Sequence, residues 1–313
     1  MDLPVCELMK YEELDMDQCT ALVLGGGGSH GALQGGALRA LIKAGYTPDL
    51  IVGTSIGAVN AVGMGLWGID LDGIDALERA WDDVSGAQML DPRVSPLILR
   101  LMVGRPSDRA RKKIENYFTS IGIDHGMRFN MIPWGRIGLV SADLATGQAV
   151  IYGQNPTDLV LEGLLTSIAV PPWFAPFQKD GQMIMDGGAF STLPIEPALR
   201  MGATEIIALD LDDDSLLPKE NLTMTQYFEQ YIFAASRRHI YLETALAETH
   251  GVPVRRIDFR GLATKPIWDF SEHKAWIRAG YEKASLQIEQ WEQEEKSGSV
   301  PIANSYQQEP AWK

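Results

Sequence analysis

Cysteine is almost absent from this 313-residue chain, which contains only Cys6 and Cys19. Two cysteines near one end cannot form the disulfide framework of a small secreted protein. The first residues also lack a basic segment followed by an apolar one, so no secretory signal peptide is evident. We therefore expect a cytoplasmic protein.

Long apolar runs are absent as well. The run at residues 97–103 is much shorter than the roughly 20 residues that a helix needs to cross a bilayer, and it contains Arg100. We therefore expect no membrane span. Any contact with a membrane should be transient and peripheral, at its inner face.

Basic residues are scarce. Lysine and arginine number 27 against 41 aspartate and glutamate residues, which gives a formal net charge of −14 at pH 7. This charge argues against nucleic acid as a partner and against a general affinity for anionic bilayers. The histidines show no paired spacing, and the acidic run at residues 210–214 lacks the calcium-loop pattern. We therefore expect no metal and no cofactor.

The rest of the composition suits a sizeable globular fold. Hydrophobic residues make up 45% of the chain and charged residues 22%, enough for a large core in one domain with a helical appendage. Residues 20–83 alternate strand and helix patterns, which is typical of a parallel sheet covered by helices. Further along, the patterns predict a hairpin at 137–152, a helix near 158–168, a buried strand at 206–211, and helices at 222–249 and 272–295.

The most informative motif is the G-x-S-x-G sequence at residues 53–57, with Ser55 at its centre. The apolar run 50–52 precedes it and a helical pattern follows it. A serine on such a strand-to-helix turn has strained backbone, and its hydroxyl points into a cleft at the positive end of the helix. Gly53 and Gly57 are required because side chains there would clash with the neighbouring strand or helix. The motif predicts a nucleophilic serine, which needs a base to take its proton.

A second motif lies upstream, where the apolar run 21–24 leads directly into a glycine-rich loop and then a helix. The loop residues are Gly25, Gly26, Gly27, Gly28, Ser29, His30 and Gly31. Consecutive glycines between a strand and a helix expose backbone N–H groups that can hold a negatively charged oxygen. Residues 26–31 also fit G-x-G-x-x-G, the fingerprint of a dinucleotide site.

A third motif lies downstream, where the apolar run 183–185 ends at Asp186, Gly187 and Gly188. An aspartate at such a glycine turn can serve as a base, or it can simply close an Asx turn. By itself this segment leaves both interpretations open.

In this order, the three motifs resemble the patatin-like phospholipase family. The family carries a glycine-rich oxyanion loop, then G-x-S-x-G, then D-G-[GA], and residues 26–31, Ser55 and 186–188 match these motifs in turn. The similarity covers about residues 20–212. It implies a three-layer α/β/α fold with a mainly parallel central sheet, followed in this chain by C-terminal helices.

The resemblance also implies a chemistry. It points to a lipid acyl ester hydrolase, of phospholipase A or lysophospholipase type, that works through an acyl-enzyme intermediate. Ser55 would be the nucleophile and Asp186 its base, with no histidine involved. The oxyanion hole would lie in residues 26–31, with the amides of Gly27 and Gly28 as the donors. The substrate would be a phospholipid, a lysophospholipid or another acyl ester, and the chain could act alone or as a homodimer.

One position departs from the family pattern. The family usually has arginine or lysine where this chain has His30, so a fixed positive charge beside the oxyanion loop becomes dependent on pH. We consider two roles for this residue. Either a protonated imidazole helps to hold the loop or a lipid phosphate, or the side chain points to solvent.

The resemblance places the catalytic domain at residues 20–212. An acidic leader at 1–19 precedes it, and a helical extension at 213–296 and a mobile tail at 297–313 follow it. Within the domain, residues 84–135 are interrupted by prolines and form a candidate lid or insertion. Its stretch 94–118 joins an apolar run to a group of basic residues, which favours contact with lipid, although a helix pair covering the sheet explains it as well.

Two other functions fit parts of the sequence. A conventional Ser-His-Asp α/β-hydrolase would need His239, His250 or His273 as its base, in the chain order Ser, Asp, His. A non-enzymatic nucleotide-binding module would use the glycine-rich loop, with Asp49 as the acid that binds the ribose. Asp49 starts the next strand, however, whereas the ribose acid should end it.

Overall fold

The computed structural model describes five stretches of the chain, namely residues 18–87, 109–171, 173–179, 181–213 and 220–297. The predicted leader and tail fall almost entirely outside these stretches, and so does most of the candidate lid segment 94–118.

Eight strands form one sheet in the described residues. They are β1 (Thr20–Leu24), β2 (Leu50–Thr54), β3 (Arg136–Asp143), β4 (Gln148–Tyr152), β5 (Phe177–Lys179), β6 (Gln182–Asp186), β7 (Glu205–Asp210) and β8 (Val254–Asp258). The order across the sheet is β5-β6-β3-β2-β1-β7-β8, and β4 also pairs with β3. The strands from β3 to β8 in this order are parallel, whereas β4, β5 and β6 pair in antiparallel fashion.

Eight α-helices cover the sheet in the same residues. They are α1 (Gly31–Lys43), α2 (Ile56–Trp67), α3 (Leu71–Ala87), α4 (Arg109–Ser120), α5 (Val160–Ser167), α6 (Ile195–Arg200), α7 (Met224–Thr249) and α8 (His273–Ser297). None of the helices described is both long enough and apolar enough to cross a bilayer.

The core has two parts, one on each face of the sheet. Along β1, Leu22 and Leu24 pack with α1 to α5 and α8, whereas Ala21 and Val23 pack with α6 and α7 on the opposite face. Alternate residues of a strand point to opposite faces, so a strand between two helical layers must be apolar throughout. This requirement explains the uninterrupted aliphatic runs of the central strands.

The predicted three-layer α/β/α class is confirmed, with a mainly parallel sheet and C-terminal helices. The predicted hairpin corresponds to β3 and β4, and the three helices predicted after it correspond to α5, α7 and α8. Strand β8 was not predicted, because Arg255 and Arg256 interrupt its apolar pattern. The segment after residue 212, expected to be helical, therefore also supplies an edge strand to the sheet.

The register on β3 brings the ends of β2 and β6 together. Thr54 of β2 pairs with Val140, and Asp186 of β6 pairs with the next residue, Ser141. Strand β4 pairs with the other edge of β3 at these positions. Strands β2 and β6 therefore pair with the same edge of β3, β2 with its first part and β6 with its last part. Ser55 comes directly after Thr54. The serine and the aspartate therefore meet at the carboxyl end of β2.

Candidate active site

Ser55 lies on a sharp turn between β2 and α2. Its φ of 55° is positive, which is strained for a residue with a side chain. A Cβ on Gly53 would lie 2.3 Å from the carbonyl oxygen of Gly57, and a Cβ on Gly57 would lie 2.1 Å from that of Leu24. Both clashes predicted from the sequence are confirmed, so only glycine fits on either side of this turn.

A buried serine holds the turn in place. The backbone N–H of Ser55 donates to Oγ of Ser167 at 3.0 Å, and the Ser167 hydroxyl donates to the carbonyl oxygen of Val140 at 2.7 Å. Ser167 is the last residue of α5 and is fully buried. This role was not predicted, because a single serine at the end of a helix carries no signal in the sequence that reveals it.

Asp186 is the last residue of β6, and its carboxylate is buried. Oδ1 accepts a hydrogen bond from the N–H of Gly188 at 2.7 Å, whereas Oδ2 accepts none from the described residues. Burial raises the pKa of Asp186 from 3.8 to about 6, and the nearby Ser55 hydroxyl and the Gly188 N–H offset part of this rise. A poorly solvated carboxylate oxygen next to a serine is a stronger base than one in water.

The glycine-rich loop follows β1, and most of its N–H groups already have acceptors. These N–H groups belong to Gly26 (to Thr192, 2.9 Å), Ser29 (to Ile267, 2.7 Å), His30 (to Gly27, 3.2 Å) and Gly31 (to Gly28 and Ser29). The N–H groups of Gly27 and Gly28 have no acceptor in the described part of the chain. Within residues 26–31, the described structure therefore leaves the amides of Gly27 and Gly28 available to an anion.

Two buried amide side chains support this loop. Gln34 Nε2 donates to the carbonyl oxygen of Gly25 at 2.9 Å, and Asn60 Nδ2 donates to that of Gly31 at 3.0 Å and to Gln34 Oε1 at 2.9 Å. Trp81 Nε1 donates to Asn60 Oδ1 at 3.2 Å. Both ends of the loop are thus fixed. The roles of Gln34 and Asn60 were not predicted, although a polar residue inside an apolar helical run often signals a buried hydrogen bond.

His30 is buried against the C-terminal part of the chain. Its Nε2 donates to the carbonyl oxygen of Lys265 at 2.8 Å, and its ring packs edge-on against Trp276. Burial lowers the pKa of His30 below 6.5, although the bond to Lys265 and the charge of Asp213 raise it in part. The imidazole is therefore neutral near pH 7. The expectation that His30 points to solvent is wrong. The lowered pKa does not favour the alternative role as a protonated side chain near pH 7.

Ser55, Asp186, Gly27 and Gly28 line one cavity of about 290 Å³. Its other walls are mainly apolar and include Ile56, Val59, Ile114, Phe118, Trp173 and Phe174. No lysine or arginine is found among the described residues that line it. Helix α4, within the candidate lid at residues 84–135, thus forms one wall, whereas residues 88–108 lie outside the described stretches.

The geometry does not support the two alternative functions. Asp49 accepts a hydrogen bond from the N–H of Thr20 at 2.9 Å, at the amino end of β1. The glycine-rich loop lies at the carboxyl end of the same strand, so Asp49 cannot bind the ribose of a nucleotide held there. The three histidines required by a conventional triad, which are His239, His250 and His273, do not line the cavity.

Comparison with known proteins identifies the family of this chain. A family model described as patatin-like phospholipase matches residues 22–199, which is more than half of the chain. An uncharacterized NTE family protein of Mycobacterium tuberculosis is 28% identical over 190 residues, covering 61% of this chain and 30% of that protein. Patatin-like phospholipase domain-containing protein 7 of Mus musculus is 30% identical over 195 residues, covering 61% of this chain and 13% of the mouse protein.

The chain therefore matches less than a third of the length of these two relatives. Among solved structures, VipD of Legionella pneumophila is similar with a TM-score of 0.44 at 14% identity, covering 88% of this chain and 67% of VipD. The family match contains all three sequence motifs, and it confirms the resemblance drawn from them. The chain belongs to the patatin-like phospholipase family.

Proposed function

We propose that the chain hydrolyses lipid acyl esters, with the phospholipase A and lysophospholipase types as the family precedent, and that Ser55 is the nucleophile and Asp186 the base. The observation that carries the proposal is Asp186 Oδ2, which is buried without a hydrogen-bond partner in the same cavity as the strained Ser55. Strained backbone and unpartnered buried acceptors both reduce stability, and they are concentrated at functional sites.

Acylation begins when Ser55 Oγ attacks the carbonyl carbon of the ester and its proton passes to Asp186 Oδ2. The former carbonyl oxygen becomes negative, and the N–H groups of Gly27 and Gly28 stabilise it. The bond between the carbon and the alcohol oxygen then breaks, and Asp186 returns the proton to the departing alcohol. The acyl group remains as an ester on Ser55.

Deacylation repeats these steps with water. Asp186 accepts a proton from water as the water oxygen attacks the acyl carbon, and it then returns the proton to Ser55 Oγ, which releases the carboxylic acid. The raised pKa of Asp186, about 6, suits both directions of transfer. The group is mostly ionised at pH 7, yet it holds a proton more strongly than an ordinary carboxylate.

The apolar walls of the cavity suit an acyl chain, because burying its methylene groups is favourable and leaves no polar group unpaired. A lipid substrate also implies that the protein works next to a membrane or micelle surface. A cytoplasmic location, transient contact with the inner face of a membrane and a homodimer remain predictions.

The test compares purified variants on short soluble esters, phospholipids and lysophospholipids. Ser55→Ala and Asp186→Asn should each lower the rate by about a thousandfold or more, because nucleophile and base act as one unit. Two matched substitutions outside the cavity, Ser285→Ala on α8 and Asp72→Asn on α3, should keep wild-type rates. Circular dichroism verifies that all four variants fold.

Two outcomes would overturn the assignment. Wild-type rates in Ser55→Ala would exclude this serine as the nucleophile. Full activity in Asp186→Asn, together with loss of activity on replacing His239, His250 or His273 by alanine, would replace the proposed pair by a conventional triad.

A further inference from the structure

The cavity has a polar wall that the proposed reaction does not use. Along the carboxyl edge of the sheet, Asp186 and Ser55 lie at β6 and β2, the glycine-rich loop follows at β1, and Asp212 comes two residues after β7. Adjacent strands are about 4.8 Å apart, and β1 lies between β2 and β7. Strand β7, which leads to Asp212, is therefore roughly 10 Å from β2, which leads to Ser55. Asp212 therefore lines a part of the cavity away from Ser55 and Asp186.

One carboxylate oxygen of Asp212, Oδ2, is a buried acceptor without a donor among the described residues. The residue is only 4% exposed and lines the cavity. Burial and the charge of Asp210 raise the pKa of Asp212 to about 7, and a hydrogen bond with the Ser236 side chain and the charges of Arg237 and Arg260 offset part of this rise. Neither arginine is among the residues that line the cavity. An unsatisfied buried carboxylate is costly, and a ligand that donates a hydrogen bond removes the cost.

The hydroxyl groups beside Asp212 have their hydrogens engaged within this wall. Ser236 Oγ donates to Thr192 Oγ1 at 3.0 Å, and Thr192 Oγ1 donates to the carbonyl oxygen of Gly188 at 2.8 Å. This wall therefore presents acceptors to the cavity. A phosphate requires donors or cations, and the described lining residues contain no lysine or arginine, while His30 is held neutral near pH 7.

We propose that Thr192, Asp212 and Ser236 form a subsite for the alcohol part of the substrate, which accepts hydrogen bonds from uncharged hydroxyl groups and disfavours a phosphate. The inference rests on the proposed hydrolysis at Ser55. Within that function it ranks acyl esters of an uncharged, hydroxyl-bearing glycerol above those that carry phosphate on the glycerol.

The test uses two substrates that differ in the phosphate. 1-Oleoylglycerol and 1-oleoyl-lysophosphatidic acid have the same acyl chain, and each is presented at low mole fraction in the same neutral detergent micelles. At about pH 8.5, above the pKa of Asp212, the wild type should favour oleoylglycerol in kcat/KM by about tenfold or more, because like charges facing each other are strongly unfavourable.

The variant Asp212→Asn keeps the shape of the side chain and removes its charge. It should reduce this preference by about tenfold, mainly through faster hydrolysis of the phosphate-bearing substrate. The control Asp72→Asn, which removes a carboxylate exposed on α3 outside the cavity, should keep the wild-type ratio. Lysophosphatidylcholine should also be a poorer substrate than oleoylglycerol for the wild type, since its phosphate lies at the same place.

The outcomes separate the subsite from the hydrolysis itself. Equal or faster wild-type hydrolysis of lysophosphatidic acid overturns the subsite and leaves the hydrolase proposal standing. An unchanged ratio in a folded Asp212→Asn variant does the same. If Asp212→Asn does not fold, the wild-type ratio decides. Failure of the wild type to hydrolyse even a short soluble ester overturns the proposed function and this inference together.

Discussion

Replacing Asp186 by asparagine removes the proposed base, but it should also change how folding stability depends on pH. Relative to the wild type, the variant should become more stable as pH rises. Burial raises the pKa of Asp186 from 3.8 to about 6. Because the folded protein holds this proton more tightly than the unfolded chain, folding stability falls as pH rises from about 4 to about 6. A shift of roughly 2 pKa units corresponds to about 3 kcal/mol of unfolding free energy.

Asparagine does not titrate, and its carbonyl oxygen can still accept the hydrogen bond from Gly188. The unfolding free energy of Asp186→Asn relative to wild type should therefore increase by about 2 kcal/mol between pH 4 and pH 8, most of the full difference, because the unfolded carboxyl is already partly ionised at pH 4. The new amide group has no acceptor in place of Oδ2, which costs about 1–3 kcal/mol at every pH. That cost lowers the unfolding free energy of the variant by the same amount at every pH and leaves its dependence on pH unchanged.

Urea unfolding followed by circular dichroism, at a series of pH values from about 4 to 8, measures this difference. Asp72→Asn, which removes one exposed carboxylate, serves as the control for the change in net charge. A difference between Asp186→Asn and wild type that stays constant over the series would refute the argument that Asp186 is buried with a raised pKa.

Three further predictions concern the same site. On an uncharged soluble ester, kcat/KM should fall below about pH 6 with a slope of one, because protonated Asp186 cannot accept the serine proton; initial rates against pH measure it. Gln34→Leu should lower kcat about tenfold or more with little change in KM, since the loop loses its support at Gly25; steady-state kinetics test it. His30→Arg should lower the unfolding free energy, measured by urea titration, by about 2 kcal/mol or more, because it places a charge where the ring is buried and neutral near pH 7. The fall of kcat/KM below about pH 6 should stay at the same pH in this variant.

The fold and the placement of Ser55 and Asp186 at one cavity were predictable because their signals are local. Strands β1, β2 and β7 are short aliphatic runs, and burial on both faces requires that composition. The strained turn at Ser55 needs glycine on both sides, and Asp186 ends an apolar strand on a glycine turn. Each of these constraints involves residues that are neighbours in the sequence.

The missed features depend on partners that are distant in the sequence. Strand β8 contains Arg255 and Arg256, whose charges are balanced by Glu205, Glu295 and Asp210 only in the folded chain. The pKa of His30 is lowered by burial under residues more than 230 positions away in the sequence. The supporting bonds of Ser167, Gln34 and Asn60 likewise join different helices and loops, so no spacing rule in the sequence reveals them.

The most direct test of the account is the mass of the protein after reaction with a fluorophosphonate ester, which modifies activated serines. We predict a single adduct per chain that peptide mapping places on Ser55, that is absent in Ser55→Ala, and that forms much more slowly in Asp186→Asn. An adduct on another serine, or an undiminished adduct in Ser55→Ala, would contradict the central claim that Ser55 is the nucleophile of this site.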